Sequence, residues 1–203
     1  MDIFIATTNQ GKLREYRRLL AHTDVHLLSL DDVGLVEQDV EETGDTFKAN
    51  AELKAIAYAK ASGKYALADD SGLCVDALNG EPGVYSARYG GAGLDDAGRR
   101  HKLLGAMEAI PDDQRGAQFE CVIAVAHPTT LECVTVSGVC RGRITRADSD
   151  GPEGFGYDAI FMPDGYDITF AQFTRDEKNQ ISHRGMAAIK LPTVLKDLKA
   201  LDS

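Results

Sequence analysis

Asp2-Ile3-Phe4-Ile5-Ala6-Thr7-Thr8-Asn9-Gln10-Gly11-Lys12-Leu13 decides the fold class. An apolar run of strand length stops at small polar residues and passes straight into helical spacing. Ile3, Phe4, Ile5 and Ala6 predict a buried strand. Leu13, Tyr16, Leu19 and Leu20 then share one face of a helix over residues 11–21. Outward from this βα pair, residues 25–28 read as a second strand. Thr43-Gly44-Asp45-Thr46 supplies capping residues for a helix that carries Phe47, Ala51, Ala55 and Tyr58 at helical spacing. Residues 65–68 form a short strand that runs into Asp69-Asp70-Ser71-Gly72.

Further along, the period changes. A glycine-rich segment, 79–93, fits neither regular element and reads as an ordered functional loop or hinge. A helix over about 95–108 follows, carrying Ala97, Leu104 and Met107 with Leu94 beside its start. Residues 119–126 and 131–140 alternate as a hairpin around His127-Pro128-Thr129-Thr130, with a strand continuing through Ile144. A loop at 148–157 leads to a short apolar piece at 159–162. The last helix spans 184–201, where Pro192 either kinks it or starts its second half. Early βα alternation with a later antiparallel portion predicts an α/β protein: a mixed sheet flanked by helices. If the chain forms two lobes, 75–93 and 145–157 are the natural crossings.

Composition narrows the function. The 203 residues carry 22 Lys+Arg against 32 Asp+Glu, a net charge of −10. That balance argues against a surface that coats nucleic acid, which needs a basic patch or stripe. An acidic protein binds a small polyanion only through a local cluster of cations and amides, or through a divalent ion held by carboxylates. No run approaches the ~20 apolar residues of a membrane span, and Met1-Asp2-Ile3-Phe4-Ile5 lacks a basic leader, so a cytosolic location is expected. Cys74, Cys121, Cys133 and Cys140 have no Cys-x-x-Cys spacing, so a zinc site is not expected; Cys121 and Cys133 read as small buried hydrophobes.

Four segments could carry chemistry. Thr7-Thr8-Asn9-Gln10-Gly11-Lys12 occupies a strand-to-helix turn, where backbone N–H groups and the helix dipole favour an anion. It lacks the Walker spacing, and an ordinary helix cap with a surface lysine reads equally well. Glu41-Glu42 precedes one helix, while Asp69-Asp70 follows a strand in apolar surroundings. Buried carboxylates of that kind need a hydrogen-bond partner or a metal, although a turn closed by Ser71-Gly72 is the plain alternative. Gly154-Phe155-Gly156-Tyr157-Asp158 sets an aromatic between glycines, suited to stacking a planar base or to a tight core turn. Lys178, His183 and Arg184 fall within seven residues around Ser182, a good N-cap, and form either a donor cluster for a carbonyl-bearing base or a basic surface stretch. His22, His26, His101 and His127 have no partner at telling spacing.

Read together, these segments resemble the inosine triphosphate pyrophosphatase family, also described as XTP/dITP or non-canonical purine nucleoside triphosphate pyrophosphatases. The resemblance rests on Ala6 to Lys12 with Glu15, Glu42-Thr43-Gly44-Asp45-Thr46-Phe47 with Asn50-Ala51, and Ala68 to Leu73. It continues through Pro82-Gly83-Val84-Tyr85-Ser86-Ala87-Arg88-Tyr89, Gly154 to Asp158, and Lys178 with Ser182-His183-Arg184, in family order over almost the whole chain. It implies an elongated α/β fold, one domain of two lobes with the active site in the cleft between them, and a homodimer. It implies Mg²⁺-dependent cleavage of ITP, dITP and XTP to the monophosphate and pyrophosphate. Asp70 matches the catalytic position and a metal ligand, and Glu41 or Glu42 matches a metal-binding glutamate. Thr7, Thr8, Asn9, Gln10, Gly11 and Lys12 match the phosphate-holding loop. Ser71, Phe155, Gly156, Tyr157, Asp158, Lys178, His183 and Arg184 match nucleotide contacts. The sequence departs from the pattern at Thr8, Ala49, Ala159 and Gln172, which bears on metal geometry and leaves Asp70 and the His183-Arg184 pair in place. The rival readings are a pyrophosphatase for modified pyrimidine triphosphates and a sensor that binds triphosphates without cutting them.

Overall fold

The computed structural model describes residues 1–35, 40–91, 93–152 and 154–202. Six strands are ordered β2-β1-β3-β4-β5-β6: β1 (Asp2–Ile5), β2 (His26–Leu28), β3 (Tyr65–Val75), β4 (Gly116–Ala126), β5 (Cys133–Ile144) and β6 (Phe161–Pro163). β1 pairs in parallel with β2 and β3, whereas β5 and β6 are antiparallel. The sheet is therefore mixed, as the sequence predicts. Parallel neighbours need a crossover. α1 (Gln10–Leu19) provides the first, and α2 (Leu30–Val33) with α3 (Phe47–Ser62) the second. The remaining helices are α4 (Asp96–Ala106), α5 (Arg175–Ile181), α6 (His183–Ala188) and α7 (Leu191–Lys199). Among the described residues, no helix is long and apolar enough to cross a membrane.

Two compact units divide the chain. The first comprises Met1–Asp70, Cys121–Gly138 and Arg184–Ser203; the second comprises Ser71–Glu120 and Val139–His183. In the first unit, strand periodicity sorts side chains cleanly. Ile3, Ile5, Leu67, Cys121 and Ile123 pack with Leu13 and Tyr16 of α1 and with Leu191, Leu195 and Leu198 of α7. Phe4, Ala6, Ala66, Ala68 and Ala124 face the other way and pack against Ala51, Ala55, Tyr58 and Ala59 of α3. Both faces are covered, so β1 reads as a continuous apolar run rather than an alternation. The small alanines on α3 and on its sheet face let helix and strands approach closely.

The core of the second unit is aromatic. Leu73, Val75, Phe119, Phe161 and Phe170 are buried together, with Phe119 edge-on to Phe161 at a centroid distance of 4.8 Å. Buried Arg115 donates to the carbonyls of Met107, Ile144 and Thr145, and so satisfies acceptors at the end of α4 and of β5.

The structure corrects several expectations. Asp69-Asp70-Ser71-Gly72 is not a turn: β3 continues to Val75, because Leu73 and Val75 extend the buried alternation into the aromatic core. The chain passes between units at 70/71, 120/121, 138/139 and 183/184, mostly within long strands, while 75–93 and 145–157 lie inside the second unit. α5 was not foreseen. It is short, and its start is fixed by a capping box in which Thr174 and Glu177 bond reciprocally. Pro192 starts α7, where its missing N–H costs nothing. The described cysteines form no disulfide, and Cys133 is only half-buried.

In the second unit, β5 meets β6 with Gly142 opposite Pro163. A Cβ at position 142 would lie 2.3 Å from the Met162 carbonyl oxygen and 2.8 Å from the Phe161 ring. Gly142→Ala is therefore expected to destabilise the protein by about 1–3 kcal/mol, read as a lowered Tm in thermal denaturation. An unchanged Tm would contradict this packing.

Candidate active site

Leu67 and Asp69 point to one face of β3, Ala68 and Asp70 to the other. Two consecutive carboxylates thereby enter different surroundings. Asp69 is buried on the α1 side. Its Oδ2 meets the Lys12 Nζ at 3.0 Å and the Arg184 Nη2 at 3.2 Å. Arg184 is 2% exposed, reaches Glu15 with its other terminal nitrogen, and lies over the Tyr16 ring. Burial alone would raise the Asp69 carboxyl, but Lys12, Arg184 and Lys54 outweigh it and hold it well below the usual carboxylate range.

Asp70 enters the α3 side. Asn50, buried in the first turns of α3, donates from Nδ2 to Asp70 Oδ2 at 3.0 Å and accepts the Gly44 N–H on Oδ1 at 2.8 Å. One helical turn on, Lys54 Nζ lies 2.5 Å from Glu42 Oε1 and 3.9 Å from Asp70 Oδ1. Burial raises the Asp70 carboxyl above its ordinary value; Lys54 and the Asn50 hydrogen bond only partly oppose this, and Glu42 adds to it. Lys54 itself is raised, because Asp70, Asp69 and Glu42 overcome its desolvation. Glu42 is half-buried, whereas Glu41 is exposed. Across the group, Lys12, Lys54 and Arg184 stand against Glu15, Glu42, Asp69 and Asp70.

The loop before α1 is organised by Asn9. As N-cap, its Oδ1 accepts the N–H groups of Gly11 at 2.8 Å and Lys12 at 3.1 Å. Thr7 Oγ1 accepts the Asn9 N–H at 3.2 Å. Thr8, Asn9 and Gln10 are exposed, and Lys12 leans onto Asp69. The two helix-end amides of Gly11 and Lys12 are thus already bonded, and anion attraction at this turn falls chiefly to the Lys12 ammonium.

In the second unit, Lys178 of α5 is buried, with Nζ 2.7 Å from Asp158 Oδ2 and 4.8 Å from the Phe155 ring centroid. Asp158 Oδ2 also accepts the Phe155 N–H at 2.8 Å. The Gly156 peptide is gripped on both sides, its N–H by Asp96 and its carbonyl by Arg100. Tyr157 is buried and donates to the Ser86 carbonyl. His183 is buried and stacks on Phe119 at 4.7 Å with an interplanar angle of 11°. Ser71 follows Asp70 on β3 and is half-buried.

Of the residues expected from sequence, Lys12, Glu42, Asp70 and Arg184 belong to one charged network in the first unit. Phe155, Asp158 and Lys178 belong to one cluster in the second. Sequence reasoning weighed Asp69 only together with Asp70, as a metal-binding, catalytic or turn-capping carboxylate, named Asn50 only within the resemblance, and gave no role to Lys54. Lys54 lies four residues after Asn50 on α3, and that i, i+4 spacing was the available signal.

A family model described as the Ham1 family matches residues 3–194. A protein named dITP/XTP pyrophosphatase from Anaeromyxobacter sp. (strain Fw109-5) is 43% identical over 98% of both chains. A HAM1 protein from Coxiella burnetii superposes with a TM-score of 0.86 at 42% identity, covering 97% of this chain and 99% of that one. The Ham1 protein of Staphylococcus aureus gives a TM-score of 0.85 at 42% identity, with the same coverage.

The two aspartates predict opposite stability effects. Asp69 is depressed in the folded state, so its contribution is present above the unfolded carboxylate value and lost as pH falls below it. Asp69→Asn leaves Lys12 and Arg184 without their shared anion and is expected to cost about 3–5 kcal/mol at neutral pH, with a smaller further loss on acidification. Asp70 is raised, so its favourable contribution exists at low pH and disappears as pH rises through the folded value. Asp70→Asn is expected to raise the Tm at pH 7. Chemical and thermal denaturation across pH 3–7 checks both; equal effects from the two substitutions would contradict this geometry.

Proposed function

The chain belongs to the Ham1 family, and from that membership we propose that it hydrolyses non-canonical purine nucleoside triphosphates. ITP, dITP and XTP are cut between the α and β phosphates to give the monophosphate and pyrophosphate. The whole chain acts as one pyrophosphatase domain. The observation that carries the reading is the convergence of Glu42 and Asp70, from different elements, on the single cationic centre of Lys54. Simple phosphate binding does not call for two converging carboxylates.

That pair also fits Mg²⁺. Both donors are carboxylate oxygens, the Lys54 ammonium stands where a cation is favoured, and a hard divalent ion takes one or two protein carboxylates plus substrate phosphates. Glu42 and Asp70 would hold the ion, in preference to exposed Glu41. When bound, it would supply the positive charge that a polyanion needs beside these carboxylates.

The residues divide the remaining work. Lys12, beside the exposed Thr8-Asn9-Gln10 turn, attracts and neutralises the phosphate tail, with Thr7 and Gly11 shaping the turn. Arg184 and Glu15 hold Asp69, which keeps Lys12 in place. Asp70, raised by burial, suits a general base better than an ordinary aspartate does. It takes a proton from the attacking water as the new P–O bond forms, and the pyrophosphate leaves with the electron pair of the broken Pα–O bond. In the second unit, Phe155 stacks on the base and Lys178 and His183 supply donors for a 6-oxo acceptor, on a scaffold of Gly156, Tyr157 and Asp158, with Ser71 alongside the nucleotide. A 6-amino group would set donor against donor, a mismatch worth up to ~10⁴-fold in favourable cases. The enzyme acts as a cytosolic homodimer on free nucleotides, with neither nucleic acid nor membrane as a partner.

Pyrophosphate release from ITP, dITP, XTP, GTP, ATP and dUTP with Mg²⁺ tests the proposal. ITP, dITP and XTP are expected to exceed ATP in kcat/KM by at least ~100-fold. Glu42→Gln and Asp70→Asn are expected to keep nucleotide binding and lose about 10²-fold or more in kcat. Release from dUTP alone, or binding without release from any nucleotide, would overturn it.

A further inference from the structure

Asn50 is completely buried and bonds on one side to Asp70 and on the other to the Gly44 backbone, two residues from Glu42. We propose that Asn50 is a positioning residue that sets the spacing of the Glu42 and Asp70 carboxylates and so governs how tightly they hold a divalent cation. The inference rests on the reading of those two acids as the metal ligands.

The residue type follows from its bonds. Asn50 Nδ2 donates to Asp70 Oδ2 at 3.0 Å, while Oδ1 accepts from the Gly44 N–H at 2.8 Å. A carboxamide offers a donor and an acceptor on one rigid plane. Aspartate there could accept from Gly44 but would confront Asp70 with a like charge; leucine could do neither. The backbone is shaped to match. A Cβ on Gly44 would come within 2.7 Å of Asn50 Oδ1 and 2.8 Å of the Ala49 Cβ, so only glycine admits this approach.

The consequence reaches both acids. Gly44 lies two residues from Glu42, so its bond to Asn50 anchors the Glu42 segment to α3. On the other side, the bond to Oδ2 fixes the rotation of the Asp70 carboxylate and turns Oδ1 toward Lys54 at 3.9 Å. The start of α3 is itself fixed, by the Thr46 side chain accepting the Ala49 N–H at 3.1 Å. Asn50 is then held in the first turns, with Lys54 one turn further on the same face. One helix thus carries a neutral tether and a cation for the same pair of acids. Partners of this kind orient metal ligands, and their loss typically weakens metal binding 10–100-fold.

The test uses Mn²⁺ as the probe. Mn²⁺ binding to the nucleotide-free protein is measured by electron paramagnetic resonance, alongside the Mg²⁺ concentration for half-maximal turnover. Asn50→Ala is expected to weaken Mn²⁺ binding and raise the Mg²⁺ requirement by roughly 10–100-fold, with KM for the nucleotide at saturating Mg²⁺ changed far less. Gly44→Ala breaks the same tether from its other end and is expected to shift both readouts in the same direction, which covers the case in which Asn50→Ala folds poorly. A merely structural role would lower the Tm and leave both metal readouts at wild-type values. Wild-type Mn²⁺ affinity in both variants, with affinity lost in Glu42→Gln and Asp70→Asn, would overturn the positioning role alone. Wild-type affinity in all four would remove the acid pair as metal ligands, and the inference with it.

Discussion

A carboxylate taken out of water is costly unless positive charge meets it, and the first unit is organised around one such group. Asp69 is 3% exposed and is met by Lys12 from the first turn of α1 and by Arg184 at the start of the C-terminal helices. Two segments far apart in sequence are thereby tied to β3, the strand that pairs in parallel with β1. Glu15 also bridges to Arg184, so removing that cation would strip both Asp69 and Glu15 of a partner. The position of Lys12, on which phosphate attraction depends, is a by-product of this pairing.

The neighbouring residue has the opposite fate. Asp70 lies on the α3 face, where Lys54, the Asn50 amide and the more distant Lys12 only partly offset its burial. Consecutive aspartates on one strand are thus driven apart in proton affinity by nothing more than the alternation of a β-strand. One remains an anion and serves the fold. The other is poised to accept a proton, and environments that separate paired titratable groups in this way mark acid–base assignments. The native state carries a destabilised Asp70 because Asp69 and the two packed faces stabilise it elsewhere.

Much of this was legible in the sequence. The βα start, the capped helix at Phe47 and the two long alternating strands came from apolar periodicity, which burial enforces directly. Lys12 stood out at a strand-to-helix turn and the Asp69-Asp70 pair beside apolar runs, while the choice of Asp70 and of a glutamate from Glu41-Glu42 came from the resemblance. What escaped depended on contacts across the fold. Asn50 and Lys54 look like ordinary helix residues until α3 is laid on β3. Asp69 and Asp70 are indistinguishable until their faces are assigned. The same holds away from the site: His127, to which no role was given, is buried with Nδ1 accepting the Thr129 and Thr130 N–H groups and Nε2 bonded to Asp202. α5 was missed because seven residues with a polar surface carry little periodic signal, whereas its capping box is local and could have been read.

The split between the two aspartates is open to direct observation. Carboxyl carbons of the ligand-free protein, labelled with ¹³C at aspartate and assigned with Asp69→Asn and Asp70→Asn, can be followed by NMR through a pH titration. The account predicts that Asp70 takes up its proton above the ordinary aspartate range while Asp69 stays ionised well below it. Titration of both at the ordinary value, or Asp69 protonating first, would contradict it.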